Sequence, residues 1–535
     1  MKRVILLGDE AIAQGAIDAG MSGIFAYPGT PSTEITEYVQ HSKEAKEKGI
    51  RSAWSSNEKT ACEAALGMSY AGKRSMCCMK HVGVNVAADN FVNAAVTGVN
   101  GGFIFVAADD PSMHSSQNEQ DSRFYGNFAL VPILEPSNQQ EAYNMVRYGF
   151  EYSERIKLPV MLRITTRLAH SRSGVNVQEK LAQNELKFPE NPNQFVLLPA
   201  IARKNYKALI AKQPEMEQEG MKSGFNQYID GEDKSLGIIA CGIGYNYLME
   251  NFKDGKCPHP ILKISQYPLP KEWIAKLVDS CEKVLVLEEG MPVVEEQLRG
   301  ILNRGANVIG RLDGAVPRDG ELNPNIVAKA LGLHDAFGLN IPELVAPRPP
   351  KLCDGCPHID SYNALNEVLK PYGKGRVFSD IGCYTLGFLD PFNAINSTVD
   401  MGASITMAKG AADAGLVPAV AVIGDSTFTH SGMTGLLDCV NDKSPVTILI
   451  LDNETTGMTG GQDSSALGKL EQICEGIGVE KEHIRILKPL RKNHDEMLQA
   501  ISEELAYNGV SVIIPRRECI QTLNKRMRAK FANKK

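Results

Sequence analysis

The chain has no apolar run that approaches the roughly 18 residues a membrane-spanning helix needs. It has no excess of positive charge. Its 57 Lys and Arg stand against 63 Asp and Glu, a net charge of −6, which argues against nucleic acid as the main partner. It has no short-period repeat, which sets aside stacked-repeat architectures. It also has no secretory pattern at its start. Val4-Ile5-Leu6-Leu7 is too short for a signal segment, Asp9 and Glu10 follow at once, and the run reads as a first strand. Cytoplasm is the expected location. There, the 12 cysteines are expected as thiols or metal ligands and not as disulfides.

What is present is ordinary in amount and ordered in pattern. The 535 residues, 43% hydrophobic and 22% charged, suit about three domains with sizeable cores. Residues 1–195 alternate short apolar strands, such as Ile24-Phe25-Ala26-Tyr27 and Gly102 to Ala108, with helices and Gly-rich turns. Residues 201–235 are polar and lysine-rich, and read as a connecting helix plus loop. A smaller α/β unit runs to about 340. Pro342, Pro347, Pro349 and Pro350 mark a linker over 341–352. A third α/β unit spans 353–535, and its end from Lys525 is a basic, solvated tail. Strands alternating with helices predict three doubly wound parallel sheets, 1–195, 196–340 and 353–535.

The most informative pattern lies in the third unit. The apolar strand Ala419 to Ile423 ends at Gly424-Asp425-Ser426, and Val446 to Leu451 ends at Asn453-Glu454-Thr455. Ligands of open α/β sheets bind beyond such carboxyl ends. Gly424 allows a phosphate to approach the backbone, with Ser426 beside it. Asp425 and the Asn453 amide oxygen are hard oxygen ligands suited to Mg²⁺, with a carbonyl just past Asn453 as a further ligand. Alone, Gly-Asp-Ser would read as a surface turn. The pair resembles the thiamine diphosphate signature of transketolase-like enzymes. Those use a second α/β domain for the aminopyrimidine ring, and the first unit is the candidate. The ring needs a buried carboxylate against one of its nitrogens. Asn57 to Tyr70 reads as an Ala-rich helix that Glu58 opens; the bland reading of Glu58 is a helix-start acid favoured by the dipole. Glu63, one turn on, is the competing choice.

Six blocks carry a wider resemblance: Tyr27-Pro28-Gly29-Thr30-Pro31, Asn57-Glu58-Lys59, Met79-Lys80-His81-Val82-Gly83, the long block Asp109 to Asp121, Cys353-Asp354-Gly355-Cys356-Pro357-His358 and Thr459-Gly460-Gly461-Gln462. On these the chain resembles the alpha subunit of the indolepyruvate ferredoxin oxidoreductases and, more distantly, pyruvate ferredoxin oxidoreductase. The resemblance implies oxidative decarboxylation of an aryl 2-oxoacid with coenzyme A, giving an aryl-acetyl-CoA, carbon dioxide and reduced ferredoxin. It implies a small beta subunit and assembly as a dimer of heterodimers. It implies Glu58 as the catalytic glutamate, Thr30 near the substrate carboxylate, and Asp425, Asn453 and the Thr455 carbonyl as Mg²⁺ ligands. It carries His81 as a further catalytic residue and Gly355 and His358 as cofactor-binding, with packing beside the pocket the alternative for Lys80, His81 and His358. The family's usual ferredoxin-like tail does not follow here, so the wire to ferredoxin is expected to be absent or supplied elsewhere.

Cys353 and Cys356 form a C-x₂-C pair on the loop that starts the third unit, Cys383 and Cys519 follow strands of its sheet, and the four are expected to hold one 4Fe-4S cluster. Four ordinary thiols or a zinc site are the alternatives. The other cysteines, Cys77, Cys78, Cys257 and Cys281 among them, read as small hydrophobes. Cys241-Gly242-Ile243-Gly244 lacks the third glycine of a dinucleotide loop. Two other functions are kept open. A non-oxidative arylpyruvate decarboxylase would use Glu58 and Asp425 without cluster or coenzyme A. A non-catalytic scaffold would carry structural zinc.

Overall fold

Segments dominated by apolar residues, with no alternation of apolar and polar, become strands buried on both faces. Ser75–Lys80, Phe103–Asp109 and Val160–Thr165 are buried throughout, and in the computed structural model they lie at the centre of a large sheet. The structure describes residues 3–191, 194–300, 307–333, 342–346, 350–398, 400–413 and 415–532. Met1, Lys2, Ile341, Pro347, Pro349 and the tail beyond 532 lie outside the described residues, so the expected linker is described only in part. The chain divides into two compact units, 1–340 and 341–535.

In the first unit, the larger sheet of the described residues has the order Gln266–Tyr267, Ile133–Leu134, Val160–Thr165, Phe103–Asp109, Ser75–Lys80, Gly23–Ala26, Arg51–Trp54. Every neighbouring pair is parallel except Gln266–Tyr267 against Ile133–Leu134. The smaller sheet runs Val308–Ile309, Val284–Leu287, Gly237–Cys241, Ile261–Ile264, Gln227–Ile229, with only the last strand antiparallel. The polar connector forms the helices Pro199–Ala211 and Gln213–Lys222 and also the edge strand Gln227–Ile229. After Cys241, Gly242 takes a left-handed conformation, and a Cβ there would lie 2.6 Å from Glu135 Cγ. The Glu135 side chain packs directly against this turn.

The segments expected as two domains, 1–195 and 196–340, share this one unit. Gln266–Tyr267 crosses into the larger sheet, and a buried ion network joins the two parts. Arg123 and Arg163 are fully buried. Arg163 donates to Asp109 at 2.6 Å and to Glu135. Arg123 grips Asp121 and donates to Glu288 at 2.9 Å, just beyond the strand Val284–Leu287 of the smaller sheet. Taking one partner from such a set strands charges in the interior, at a cost of about 3–5 kcal/mol. Arg163→Met is therefore expected to lose about that much in denaturant unfolding. Lys59→Met, which removes a surface pair with Glu63, should change stability by less than about 1 kcal/mol. Equal losses in the two variants would show that the network is not what joins these parts.

In the second unit the described sheet is parallel throughout, in the order Ser397–Thr398, Val377–Ser379, Ala419–Gly424, Val446–Leu451, Ser511–Pro515, Ile484–Leu487. Successive residues point to opposite faces. Val420, Val422, Leu449 and Leu451 enter one core, with the helices Pro357–Leu369 and His494–Ala506. Ala419, Ala421, Ile423, Ile448 and Ile450 enter the other, with Ala403–Asp413 and Met433–Asp442. This is the doubly wound α/β class expected. After Val377–Ser379 the chain moves outward to Ser397–Thr398 and then returns to the other side as Ala419–Gly424. At such a reversal the two strand ends part and leave a crevice for a ligand.

Candidate active site

Two sets of residues stand at strand carboxyl ends, one in each unit. In the second unit, Gly424 ends its strand and Asp425 begins the helical run that follows. Asp425 is 2% exposed, and among the described residues its Oδ2 has no hydrogen-bond partner. Burial, with the Asp452 carboxylate nearby, pushes its carboxyl up to about 7. A buried, orphaned carboxylate oxygen is well suited to a divalent cation. Gly424 is required for a reason not visible in the sequence. A Cβ there would lie 2.6 Å from the Tyr384 ring. Tyr384 in turn donates to Asp380, whose other oxygen accepts from Gly402 N at 3.1 Å and Ser404 Oγ at 2.6 Å. Burial pushes the Asp380 carboxyl up to about 6. Asp380 thus fastens the loop that precedes Ala403–Asp413 to the floor of the crevice.

The neighbouring strand Val446–Leu451 delivers Asn453, 6% exposed. Its Oδ1 accepts from Thr455 N at 3.2 Å, and its Nδ2 points to His358 Nε2 at 3.4 Å. An amide nitrogen can only donate, so His358 Nε2 accepts. Burial, with Arg517 nearby, lowers His358 to about 4, which keeps the ring neutral for that role. Glu454 has φ 65°, and this left-handed residue turns the chain into the short hairpin Thr455–Thr456 with Gln462–Asp463. Ser426 Oγ lies 2.7 Å from Thr456 Oγ1. Asp425, Ser426, Asn453 and Thr455 are therefore brought into one group at adjacent strand ends, with His358 joined to it.

The four cysteines singled out from the sequence converge on the same group. Cys356 N donates to Cys353 O at 2.9 Å in the turn before the helix Pro357–Leu369, with Gly355 in its left-handed position between them. Cys383 opens the helical turn Cys383–Phe388, and a Cβ on Gly457 would lie 3.1 Å from its Sγ. Cys519 N donates to Asn453 O at 3.1 Å. Burial and the neighbouring Cys356, Cys519 and Cys353 push the Cys383 thiol up to about 12. Burial, with Cys353 and Cys519 beside it, pushes Cys356 up to about 11. Of the cysteines expected as small hydrophobes, Cys77 and Cys78 are buried, and Cys257 and Cys281 are partly so.

In the first unit, Asn57 caps the helix Glu58–Tyr70 by accepting from Thr60 N at 2.9 Å. Glu58 is 6% exposed. A Cβ on Gly83 would lie 2.5 Å from Glu58 Oε1, so the missing side chain at 83 makes room for this carboxylate. Glu63 is exposed and pairs with Lys59. Lys80 ends its strand and donates to Ser115 O at 2.5 Å; burial lowers it to about 8, against the pull of Asp110 and Glu58. His81 is buried, and its Nε2 faces Asn118 O at 3.2 Å. That nitrogen must donate, which leaves Nδ1 as a bare acceptor with no partner among the described residues. Thr30 is half-buried in a loop held by Ser32 Oγ on Gly29 O at 2.8 Å, and a Cβ on Gly29 would lie 3.3 Å from Lys80 Cβ. The acids of the long block serve this loop system. Asp110 accepts from Ser115 N at 2.8 Å, Ser116 Oγ at 2.6 Å and Thr166 Oγ1 at 2.7 Å.

Two family models match the chain: pyruvate flavodoxin/ferredoxin oxidoreductase, thiamine diphosphate-binding, over residues 14–230, and the C-terminal binding domain of thiamine pyrophosphate enzymes over 380–514. The indolepyruvate oxidoreductase subunit IorA of Archaeoglobus fulgidus is 40% identical over 97% of this chain and 86% of its own. That of Thermococcus kodakarensis is 39% identical over the same shares. This chain belongs to the indolepyruvate oxidoreductase IorA family. A solved 2-oxoglutarate:ferredoxin oxidoreductase from Magnetococcus marinus aligns at a TM-score of 0.46 and 17% identity, over 58% of this chain and 61% of that one.

As an IorA-family member the chain is a catalytic subunit of the thiamine-diphosphate-dependent 2-oxoacid oxidoreductase type. The first family model covers Thr30, Glu58, Lys80 and His81, and the second covers Asp425, Asn453 and Thr455. The residues fit the cofactor's demands. The orphaned Asp425 oxygen suits a metal-bound diphosphate, and the recess over Gly83 holds a buried carboxylate. Among the described residues, no helix is long and apolar enough to cross a membrane.

Proposed function

We propose that this IorA-family chain oxidatively decarboxylates aryl 2-oxoacids, indolepyruvate among them, as the thiamine diphosphate-binding subunit of a cytoplasmic heteromer. One 2-oxoacid and one coenzyme A give an aryl-acetyl-CoA, carbon dioxide and a proton, and two electrons pass to ferredoxin or a similar carrier. A small beta subunit brings the coenzyme A chemistry, in a dimer of heterodimers. Bound thiamine diphosphate supplies the carbon nucleophile and electron sink that decarboxylation requires. Asp425, the Asn453 amide oxygen and the Thr455 carbonyl hold its Mg²⁺, with Gly424 and Ser426 at the phosphates. His358 orients Asn453, the part a partner of a metal ligand usually plays. Glu58 holds the proton shared with the aminopyrimidine. Lys80 meets the substrate carboxylate with Thr30, and His81 offers its bare Nδ1 as a proton acceptor.

The observation that carries the oxidative reading is the convergence of Cys353, Cys356, Cys383 and Cys519 beside the Asp425 group. Four thiolates are the usual ligand set of a 4Fe-4S cluster, and a structural zinc on the same four is separated from it by metal analysis. Anaerobically purified protein should be brown, with about four irons per chain by metal analysis. Cys383→Ser should lose colour and iron while keeping thiamine diphosphate affinity. Colourless wild-type protein after cluster reconstitution would overturn the oxidative reading. With aldehyde as product instead of acyl-CoA, it would leave a non-oxidative arylpyruvate decarboxylase.

A further inference from the structure

The first unit holds a second group of metal-type side chains. Asp9 is fully buried, yet among the described residues neither of its carboxylate oxygens has a hydrogen-bond partner. It lies in the first turn of the helix Gly8–Asp18, but the capping bond there is made by its neighbour: Leu7 N donates to Glu10 Oε2 at 2.8 Å. A buried carboxylate with neither oxygen satisfied is a costly arrangement, and native proteins rarely keep one without a proton, water or cation. Asp9, Glu34 and His170 each offer one ligand atom, and these atoms all lie within 4.8 Å of one another. Glu34 Oε2 is 3.5 Å from His170 Nε2. Three separate elements meet here, because Glu34 lies in the first turn of the helix Thr33–His41 and His170 ends the helix Thr166–His170.

We propose that Asp9, Glu34 and His170 form a divalent metal site. One imidazole and two carboxylates are the ligand set of Zn²⁺ or Mn²⁺, since Mg²⁺ and Ca²⁺ sites are built from oxygen alone. Ligands about 2.1 Å from a tetrahedral ion stand about 3.4 Å apart, so modest side-chain rotation closes the group. Glu34 and His170 are partly exposed while Asp9 is not, which gives the ion an entry route and leaves coordination positions for water. The role is structural. Glu34 follows directly on the loop that carries Thr30, and His170 follows the strand Val160–Thr165 through one short helix. An ion here ties the Thr30 loop to the exit of that strand.

The test uses the full chain, iron-loaded where it carries iron, treated with chelator and then titrated with Zn²⁺ or Mn²⁺ in the absence of thiamine diphosphate. Wild-type protein should gain about 3 °C in melting temperature at saturation. By metal analysis it should hold one more equivalent of Zn²⁺ or Mn²⁺ than Asp9→Asn or His170→Gln. Asp9→Asn keeps the shape of the side chain, and His170→Gln changes a partly exposed position, so both should fold. Both should also keep the wild-type iron content and thiamine diphosphate affinity, which separates this site from the second unit's chemistry. If the variants bind as much metal as wild type, or if neither ion raises the wild-type melting temperature, the proposal is overturned.

Discussion

Glu58→Gln should bind thiamine diphosphate with near wild-type affinity and turn over about 10² to 10⁴ times more slowly, the usual weight of a lost acid–base group. The carboxylate lies in a recess that exists because residue 83 has no side chain. Gln fills the same space but cannot hold the proton. Gly83→Ala should approach the same phenotype by another route, since its Cβ would stand 2.5 Å from Glu58 Oε1. Glu63→Gln is the control. It removes an exposed partner of Lys59 and should leave turnover within about twofold, as a surface pair is worth at most about 1 kcal/mol. Steady-state rates with cofactor titrations decide the matter. An active Glu58→Gln beside a dead Glu63→Gln would move the assignment one helical turn along.

Asp425→Asn should lose thiamine diphosphate–Mg²⁺ binding by more than about 100-fold in calorimetry. Removing mere partners of metal ligands already costs about 10 to 100-fold, and a direct ligand should cost more. The variant also separates lost binding from lost folding. In the cofactor-free chain, Asp425 is a buried carboxylate with an orphaned oxygen, pushed up to about 7. Replacing it by the neutral amide should leave the melting temperature of the cofactor-free protein unchanged or raised. Unaltered cofactor affinity in Asp425→Asn would remove the diphosphate reading of this strand end, however well the variant folds.

The sequence made some of this legible because certain signals are local. An apolar run that stops at Asp or Asn marks a buried strand and its ligand end together, which is how Asp425 and Asn453 stood out. The Ala-rich stretch Asn57 to Tyr70 marked a helix and brought Glu58 into view at its opening. The six blocks pointed to the family that the whole-chain relatives now show. Other features have no local signal. His358 meets Asn453 across a long stretch of chain. Asp380 and Tyr384 form a pair that only the folded crevice defines. The reason for Gly424 is the Tyr384 ring behind it, and the reason for Gly83 is Glu58. The acids of the block Asp109 to Asp121 could be recognised, but not their work on Arg163, Ser115 and Arg123. Residues 1–195 and 196–340 read as separate domains because each has its own α/β rhythm; the strand and ion network that unite them depend on distant partners.

That crossing strand also sets an order of events during synthesis. Ile133–Leu134 is covered on its outer side by Gln266–Tyr267, which the ribosome makes about 130 residues later, or roughly 7 to 26 s at ordinary elongation rates. Throughout that interval the nascent sheet presents an open edge with unpaired amides and carbonyls, a template for pairing with a neighbouring chain. A fragment ending near residue 195 should keep this edge permanently and associate or precipitate, while one ending near 340 should stay monodisperse. The natural cutting point for expressing part of this protein is therefore after the smaller sheet.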